Sequence, residues 1–234
     1  MLLIPRIPNI RKLVLNGWML NASNQQLFPL DFVPLTKLEH LDARDSYIDR
    51  IALPSSLRFL ASQMSRPIRP VNADQDPLRN LTTLICGTLR QVVGLLEIHS
   101  SAPDDSVTPP PSSLETLHVT SAEADSYTIL PVQVLTRLHR LKDLQLRGIR
   151  NFDAAWALHI AKVMPEITRL DLSRSDATGF GIRMAVEALK DLKFLDVTEC
   201  QSLGIDAIEL VKARGVQVRY GMQETNKGGK KVRY

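Results

Sequence analysis

Histidine side chains could ligate a metal ion, and the backbone N–H groups of a glycine-rich loop could cradle a phosphate. The Gly179–Gly181 stretch, G-F-G, opens a helical pattern but lacks the third glycine of a dinucleotide-binding loop. No histidine has a second ligand at the spacing of a zinc site. The five histidines are His40, His99, His118, His139 and His159. We therefore expect no metal, no cofactor and no catalytic site, and the chain is predicted not to be an enzyme.

The two cysteines are predicted to be buried, reduced thiols. Cys86 lies at an apolar strand position and Cys200 follows an apolar strand pattern at a turn. Unpaired buried cysteines are typical of reducing compartments. Pro5 and Pro8 interrupt the apolar start, and no apolar run approaches the roughly 18 residues that a membrane span needs. These features favour an intracellular protein, in the cytoplasm, the nucleus or both.

Positive charge is concentrated at the C-terminal end. Seven basic residues and one acidic residue lie from Val211 onward, so this end carries +6 of an overall +4, and the rest carries −2. Residues 221–234 are predicted to form a basic, disordered tail. Because the remaining body is slightly acidic, the overall charge is a weak argument for nucleic-acid binding.

A repeated phrase, L-x-x-L-x-L, organises the chain. Its second leucine, here called the anchor, recurs at spacings of 19 to 33 residues, close to the 20–29 of leucine-rich repeats. The anchors are Leu13, Leu41, Leu60, Leu84, Leu117, Leu144, Leu170 and Leu195. We predict an α/β leucine-rich repeat solenoid over residues 1–220. Its parallel strands would line a curved, concave face, with helices and loops on the convex face.

Helix signals are clearest in the C-terminal half. Asp153 is a predicted N-cap, and either Asp176 or Thr178 could cap the next helix. The predicted helices cover Ala154–Met164, the segment up to Leu189, and Asp206–Arg214, before a last strand around Val218. A further helix is predicted over Ile129–Leu138. The Leu95-Leu96-x-Ile98 run fits a strand or a short helix. The segment 100–113 is predicted to be an irregular insertion, and 63–77 and 93–113 have no assigned structure.

The last repeat resembles a known family. It is similar to the cysteine-containing leucine-rich repeats, of the ribonuclease-inhibitor-like type, in F-box proteins, with the pattern L-x-x-L-D-L-x-x-C-x-x-(I/L)-(T/G)-D-x-(G/A)-(I/L). The matching residues are Leu192, Leu195, Asp196, Val197, Cys200, Leu203, Asp206, Ala207 and Ile208. The seventh repeat departs from the pattern, because Ser175 stands at the cysteine position.

The resemblance implies the substrate-binding part of an SCF-type ubiquitin ligase receptor. In that family an F-box binds the SCF adaptor, and the repeats hold the substrate. No such segment is found near Met1. The N-terminal end also shows no capping element, so we expect that Met1 lies inside a longer natural protein, in which an F-box could bind the adaptor. Two alternatives remain open: a stand-alone repeat scaffold outside the ubiquitin system, and a nucleic-acid-associated protein that uses the basic tail.

The variable positions of the strands are predicted to face the concave side and to bind a protein target. They lie between the inner leucines and just after them, where side chains alternate away from the core. The predicted protein-binding residues are Asp42, Arg44, His118, Gln145, Arg147, Arg169, Asp171, Arg174 and Asp196. Asp171 and Asp196 alone do not make a catalytic pair, and ion pairs on an ordinary solvated sheet would explain the same charges.

Overall fold

A computed structural model describes residues 9–15, 30–44, 46, 50–62, 69–70, 79–97, 112–121 and 137–221. These contain twelve strands and four helices. In chain order they are β1 (Lys12–Val14), β2 (Leu30–Asp31), β3 (His40–Ala43), β4 (Arg50–Ala52), β5 (Phe59–Ser62), β6 (Arg69–Pro70), β7 (Thr83–Cys86), α1 (Leu89–Glu97), β8 (Thr116–Val119), β9 (Asp143–Leu146), α2 (Ala154–Val163), β10 (Arg169–Asp171), α3 (Gly179–Ala188), β11 (Phe194–Asp196), α4 (Ile205–Ala213) and β12 (Gln217–Arg219).

The phrase strands form one parallel sheet of nine strands. Their order is β1-β3-β5-β7-β8-β9-β10-β11-β12, and the sheet is not closed into a barrel. Each anchor pairs with the next anchor, from Leu13 with Leu41 through to Leu170 with Leu195. Val218 continues the series opposite Leu195. The predicted α/β class with parallel strands is therefore confirmed.

The leucines of the phrase build the core. The anchors from Leu41 to Leu195 are buried, while Leu13 and Val218, on the edge strands, are partly exposed. The inner residue two positions after the anchor is buried as well, as at Leu146 and Leu172. Because both residues point to one side of the sheet, their side chains collect between the strands and the return segments.

A buried donor after the strand joins successive repeats. Five residues after the anchor, the side chain donates a hydrogen bond to the backbone carbonyl that ends the preceding strand segment. Cys200 Sγ donates to Leu172 O at 3.0 Å, and Ser175 Oγ donates to Leu146 O at 3.3 Å. Ser46 Oγ makes the same contact with the carbonyl of Leu15. These bonds give carbonyls at the strand ends a side-chain partner from the next repeat.

The C-terminal helices begin where the sequence predicts. Asp153 Oδ1 accepts a hydrogen bond from Trp156 N at 3.0 Å, and Thr178 Oγ1 accepts one from Gly181 N at 3.0 Å. Of the two alternatives for α3, Thr178 is therefore the cap. The third helix, α4, starts at Ile205, one residue before the predicted Asp206. It ends before Gly215, whose φ of 76° suits glycine.

The return segments of the N-terminal half differ from those of the C-terminal half. The short strands β2, β4 and β6 pair in a second parallel sheet of three strands, which the sequence analysis did not predict. Each lies in the return segment between two strands of the main sheet. The shortest of these repeats spans only 19 residues between its anchors, Leu41 and Leu60, and leaves no room for a return helix of normal length.

Other predictions concern Leu95, the third phrase and segments that lie largely outside the described residues. Leu95 belongs to α1, so the open alternative there is decided in favour of a helix. The third phrase, in which Ser62 replaces a leucine, still forms β5, with Ser62 buried opposite Cys86. Most of the predicted insertion 100–113, most of the helix Ile129–Leu138 and the tail beyond Gly221 lie outside the described residues.

Gly181 is a close-packing residue, which gives the G-F-G stretch a structural role. A Cβ at this position would lie 2.6 Å from the backbone oxygen of Phe152, in the loop before α2. At Gly179 a Cβ would meet only Ala207 Cβ, at an ordinary 3.6 Å. We predict that Gly181→Ala lowers the free energy of unfolding by about 1–3 kcal/mol, because backbone must move. Gly179→Ala, the matched control, should be neutral or stabilising in urea denaturation, and equal losses would contradict the packing role.

Burial raises the pKa of the Cys200 thiol from its ordinary 9.0 to about 11. In the unfolded chain the thiol ionises first, so folding stability should be intact below pH 9 and should fall as pH rises towards 11. We predict that this alkaline loss, followed by urea denaturation, is smaller in Cys200→Ala than in the parent chain. The native thiol should also resist Ellman's reagent at pH 8. Fast labelling of native Cys200 would contradict this account.

Candidate protein-binding face

The side of the nine-stranded sheet opposite the leucine core is here called the open face. It is formed by the residue before and the residue after each anchor, together with the turn residues that follow. Because side chains alternate along a strand, both anchor neighbours point away from the core. The residues that the sequence predicted for protein binding lie along this face or at its strand-end edge.

The three aspartates of the face that follow an anchor are buried, although the sequence predicts that they face solvent. Asp42, Asp171 and Asp196 each follow an anchor. In each, Oδ1 accepts a hydrogen bond from the backbone nitrogen two residues later, at 3.2, 2.9 and 3.0 Å respectively. This bond folds the carboxylate back against the end of its strand. The aspartates therefore shape the turn and do not project towards a partner.

The second oxygen of each aspartate holds an arginine. Asp42 Oδ2 lies 2.7 Å from Arg44 Nη2, and Asp171 Oδ2 lies 3.1 Å from Arg147 Nε. Asp196 Oδ2 lies 3.5 Å from Arg219 Nη1. The hydrogen bonds from Arg44 keep the pKa of Asp42 below its usual value. In each pair the arginine side chain is about half exposed or more, and the carboxylate is buried. The positively charged partner is therefore the one that solvent reaches.

Further charged contacts join strands β8, β9 and β10 and the turns that follow β10 and β11. Asp143 Oδ2 is 3.5 Å from His118 Nε2 and 3.7 Å from Arg169 Nε. Arg174 Nε donates to Glu199 Oε2 at 3.0 Å. The predicted residue Gln145 is half-buried, and its Cα partners in the sheet are those of His118 and Asp171. From His118 to Arg174, the structure thus brings the predicted C-terminal residues into one continuous area.

Aromatic contacts on the open face were not found from the sequence. His40 and Phe59 stack across neighbouring strands with ring centroids 3.9 Å apart. The guanidinium carbon of Arg169 lies 4.2 Å from the ring centroid of Phe194, and that of Arg219 lies 5.9 Å away. Except for Arg219, these residues precede an anchor, and the sequence analysis considered chiefly the residue that follows it. Strict two-residue alternation predicts both positions.

Burial, followed by the nearby charge of Lys12, lowers the pKa of His40. This favours a neutral imidazole for the stack on Phe59.

Both cysteines are buried and unbridged, as predicted. Across the described segments, no group of three or more potential metal ligands is found. None of the helices in those segments is long and apolar enough to cross a membrane.

Comparison with known proteins gives a partial relationship. No family model matches the chain. Over 115 residues, 47% of this chain, the sequence is 28% identical to the F-box/TPR repeat protein pof3 of Schizosaccharomyces pombe (strain 972 / ATCC 24843). The chain covers 20% of the length of that relative. It is therefore distantly similar to part of a repeat-containing F-box protein.

Asp171 is the most fully buried aspartate of the open face and connects two repeats through Arg147. We predict that Asp171→Ala lowers the free energy of unfolding by about 1–3 kcal/mol, because the backbone N–H of Ser173 loses its acceptor. Asp171→Asn keeps an acceptor oxygen and should lose less.

Urea denaturation of both variants, with Asp191→Ala as an exposed control, measures this effect. The control should stay within about 0.5 kcal/mol of the parent chain. An equal loss in Asp171→Asn and Asp171→Ala would show that the backbone bond is not what the aspartate contributes.

Proposed function

We propose that the chain is a leucine-rich repeat solenoid that serves as a non-catalytic protein-recognition module. Its role is the substrate-binding part of an SCF-type ubiquitin ligase receptor of the F-box/LRR type. The observation that carries this proposal is the register of the main sheet, in which every phrase contributes one strand and every anchor pairs with the next. Such a sheet presents one long, regular face on which a partner can lie.

The solenoid interpretation is supported by what joins the repeats. A repeat array needs contacts that recur between neighbours, because no unit buries its apolar side alone. The anchor leucines supply one such contact. The buried donors at Ser46, Ser175 and Cys200 supply another, each reaching a carbonyl of the preceding repeat. Helices α2, α3 and α4 pack side by side behind the sheet.

Protein binding is supported by the chemistry of the open face. Its C-terminal part is built from half-buried and exposed polar side chains, among them Gln145, Arg147 and Arg174, with the ring of Phe194 between arginines. Arginine and aromatic residues are enriched where protein interfaces gain most of their affinity. The face would hold a target in place so that separate catalytic subunits can modify it.

The ligase context is supported by two similarities. The last repeat resembles the cysteine-containing repeats of F-box proteins, and Cys200 makes the bond that the turn position requires. The name of the distant relative includes an F-box as well as repeats. In this proposal the adaptor subunit is bound by an F-box outside the repeats, and the protein works inside the cell.

A role outside catalysis is consistent with the polar groups of the face. One oxygen of each of Asp42, Asp171 and Asp196 accepts a backbone hydrogen bond and the other pairs with an arginine. A general base must instead have a free oxygen within reach of a substrate proton. We therefore propose that these three aspartates hold the turns and the arginines in place and do not act as general bases.

We predict that an affinity tag at the endogenous locus brings down the SCF adaptor, a cullin and a target protein. Arg147→Ala with Arg174→Ala should lose the target and keep the adaptor, because both arginines are exposed on the open face. The double control Arg183→Ala and Arg214→Ala, behind the sheet, should keep all three. Quantitative mass spectrometry of the purified complexes measures this.

Absence of both the adaptor and the cullin would reject the ligase role. If a target still co-purified and depended on the open-face arginines, the chain would be a repeat scaffold outside the ubiquitin system. Loss of the target in the control variant as well would contradict the choice of the open face.

A further inference from the structure

We propose that the C-terminal third of the open face binds an extended, acidic segment of a protein partner. This inference rests on the proposed function and specifies the chemistry of the target. The site is the arginine row, defined as Arg147, Arg169, Arg174 and Arg219. Arg169 and Arg219 lie on β10 and β12, Arg147 directly follows β9, and Arg174 lies in the turn after β10. The matching ligand would carry several carboxylates distributed along a strand-like peptide.

The arginines of the row are more exposed than the carboxylates with which they pair. The arginine row pairs with Asp171, Asp143, Glu199 and Asp196, so the formal charges of this area balance. The exposed fractions of the arginine side chains are 51, 41, 69 and 66%, whereas those of the paired carboxylates are 2, 27, 30 and 6%. Solvent, or a ligand, therefore meets the arginine side chains of the row to a greater extent than the carboxylates with which they pair.

Three arginines of the row use only one guanidinium nitrogen for the carboxylate with which they pair. Arg147 and Arg174 each use only Nε for the carboxylate beneath them. Arg219 uses Nη1. Within the described part of the chain, the remaining guanidinium nitrogens of these three arginines make no side-chain hydrogen bond. A guanidinium is planar and can hold a second carboxylate through two parallel N–H groups, which a lysine cannot do.

The length of the arginine row fits a short extended peptide. Neighbouring parallel strands lie about 4.8 Å apart, so the three steps from β9 to β12 cover about 14 Å. An extended peptide rises about 3.3 Å per residue, so about five residues span the row. Alternate side chains of such a peptide point to the same face. Carboxylates at alternate positions, about 6.6 Å apart, therefore place about three charges along the row, whereas a single phosphate reaches only one or two of its members.

The ring of Phe194 supports the row. It lies between Arg169 and Arg219, 4.2 and 5.9 Å from their guanidinium carbons, and keeps these long side chains over the sheet. On the central strands β5 and β7, by contrast, the residue after the anchor is Ala61 or Ile85. The acidic segment is therefore assigned to the last four strands and not to the whole face.

The test uses the full chain and a short fluorescein-labelled peptide in which Asp alternates with Ser, followed by fluorescence anisotropy. The double variant Arg174→Gln/Arg219→Gln should bind this peptide about tenfold more weakly than the parent chain. The matched control is Arg183→Gln/Arg214→Gln, which removes the same two charges. Both control arginines are about half exposed, and both pair with Glu187 behind the sheet. The control should bind within about twofold of the parent chain.

Three further probes identify the source of the charge. A peptide with Asn in place of Asp should not bind. The same Asn peptide with one phosphoserine should bind more weakly than the Asp peptide, and so should a single-stranded oligonucleotide. Binding of the Asp peptide should weaken as salt is added. If the double variant fails to fold by circular dichroism, Arg174→Gln alone decides, because its partner Glu199 is itself partly exposed.

Equal weakening in the double variant and its control would overturn the inference, since the peptide would then be held by overall charge. Stronger binding of the phosphopeptide or of the oligonucleotide would also overturn it. If the Asp peptide does not bind but the native target still depends on Arg147 and Arg174, only the acidic nature of the target is wrong. The proposed recognition function then stands.

Discussion

The in-register pairing of nine parallel strands is the constraint on which the rest of this structure depends. Each anchor lies beside the next, so each strand takes its orientation from its neighbour. A slip by one residue would turn the anchor leucines outward and would bring Asp171 and Asp196 into the apolar core. The buried donors at Ser175 and Cys200 hold the same register from the turns, because each reaches one particular carbonyl of the preceding repeat.

Because of this register, the aspartates and the arginines of the open face have different roles. The aspartates that follow the anchors accept backbone hydrogen bonds at the strand ends, and their remaining oxygens hold arginines. The carboxylates thereby stabilise the fold, and the guanidinium groups form the surface. A chain with nearly balanced charges on this face can in this way present a cationic area. Its exposed groups are pre-positioned, so a partner would not need to order them.

The sequence predicted the parallel strands and their register well, and the contacts of the open face only in part. The spacing of the leucines was sufficient to identify the anchors, and Asp153 could be recognised as the N-cap of α2, because each signal lies within a few neighbouring residues. The second sheet was missed because two- and three-residue strands have no periodicity. The burial of Asp171 was missed because its bond to a backbone N–H leaves no mark in composition. Phe194 was overlooked although strand alternation would have placed it on the open face.

A site-specific photo-crosslink tests most directly whether the open face is the recognition surface. Phe194 lies on that face, and Phe180 is exposed at the start of α3 behind the sheet. A photoreactive benzoylphenylalanine replaces one phenylalanine or the other in the tagged chain, which is then irradiated in cells. The account predicts a covalent adduct with the target from position 194 and none from position 180. An adduct from position 180 alone would contradict it.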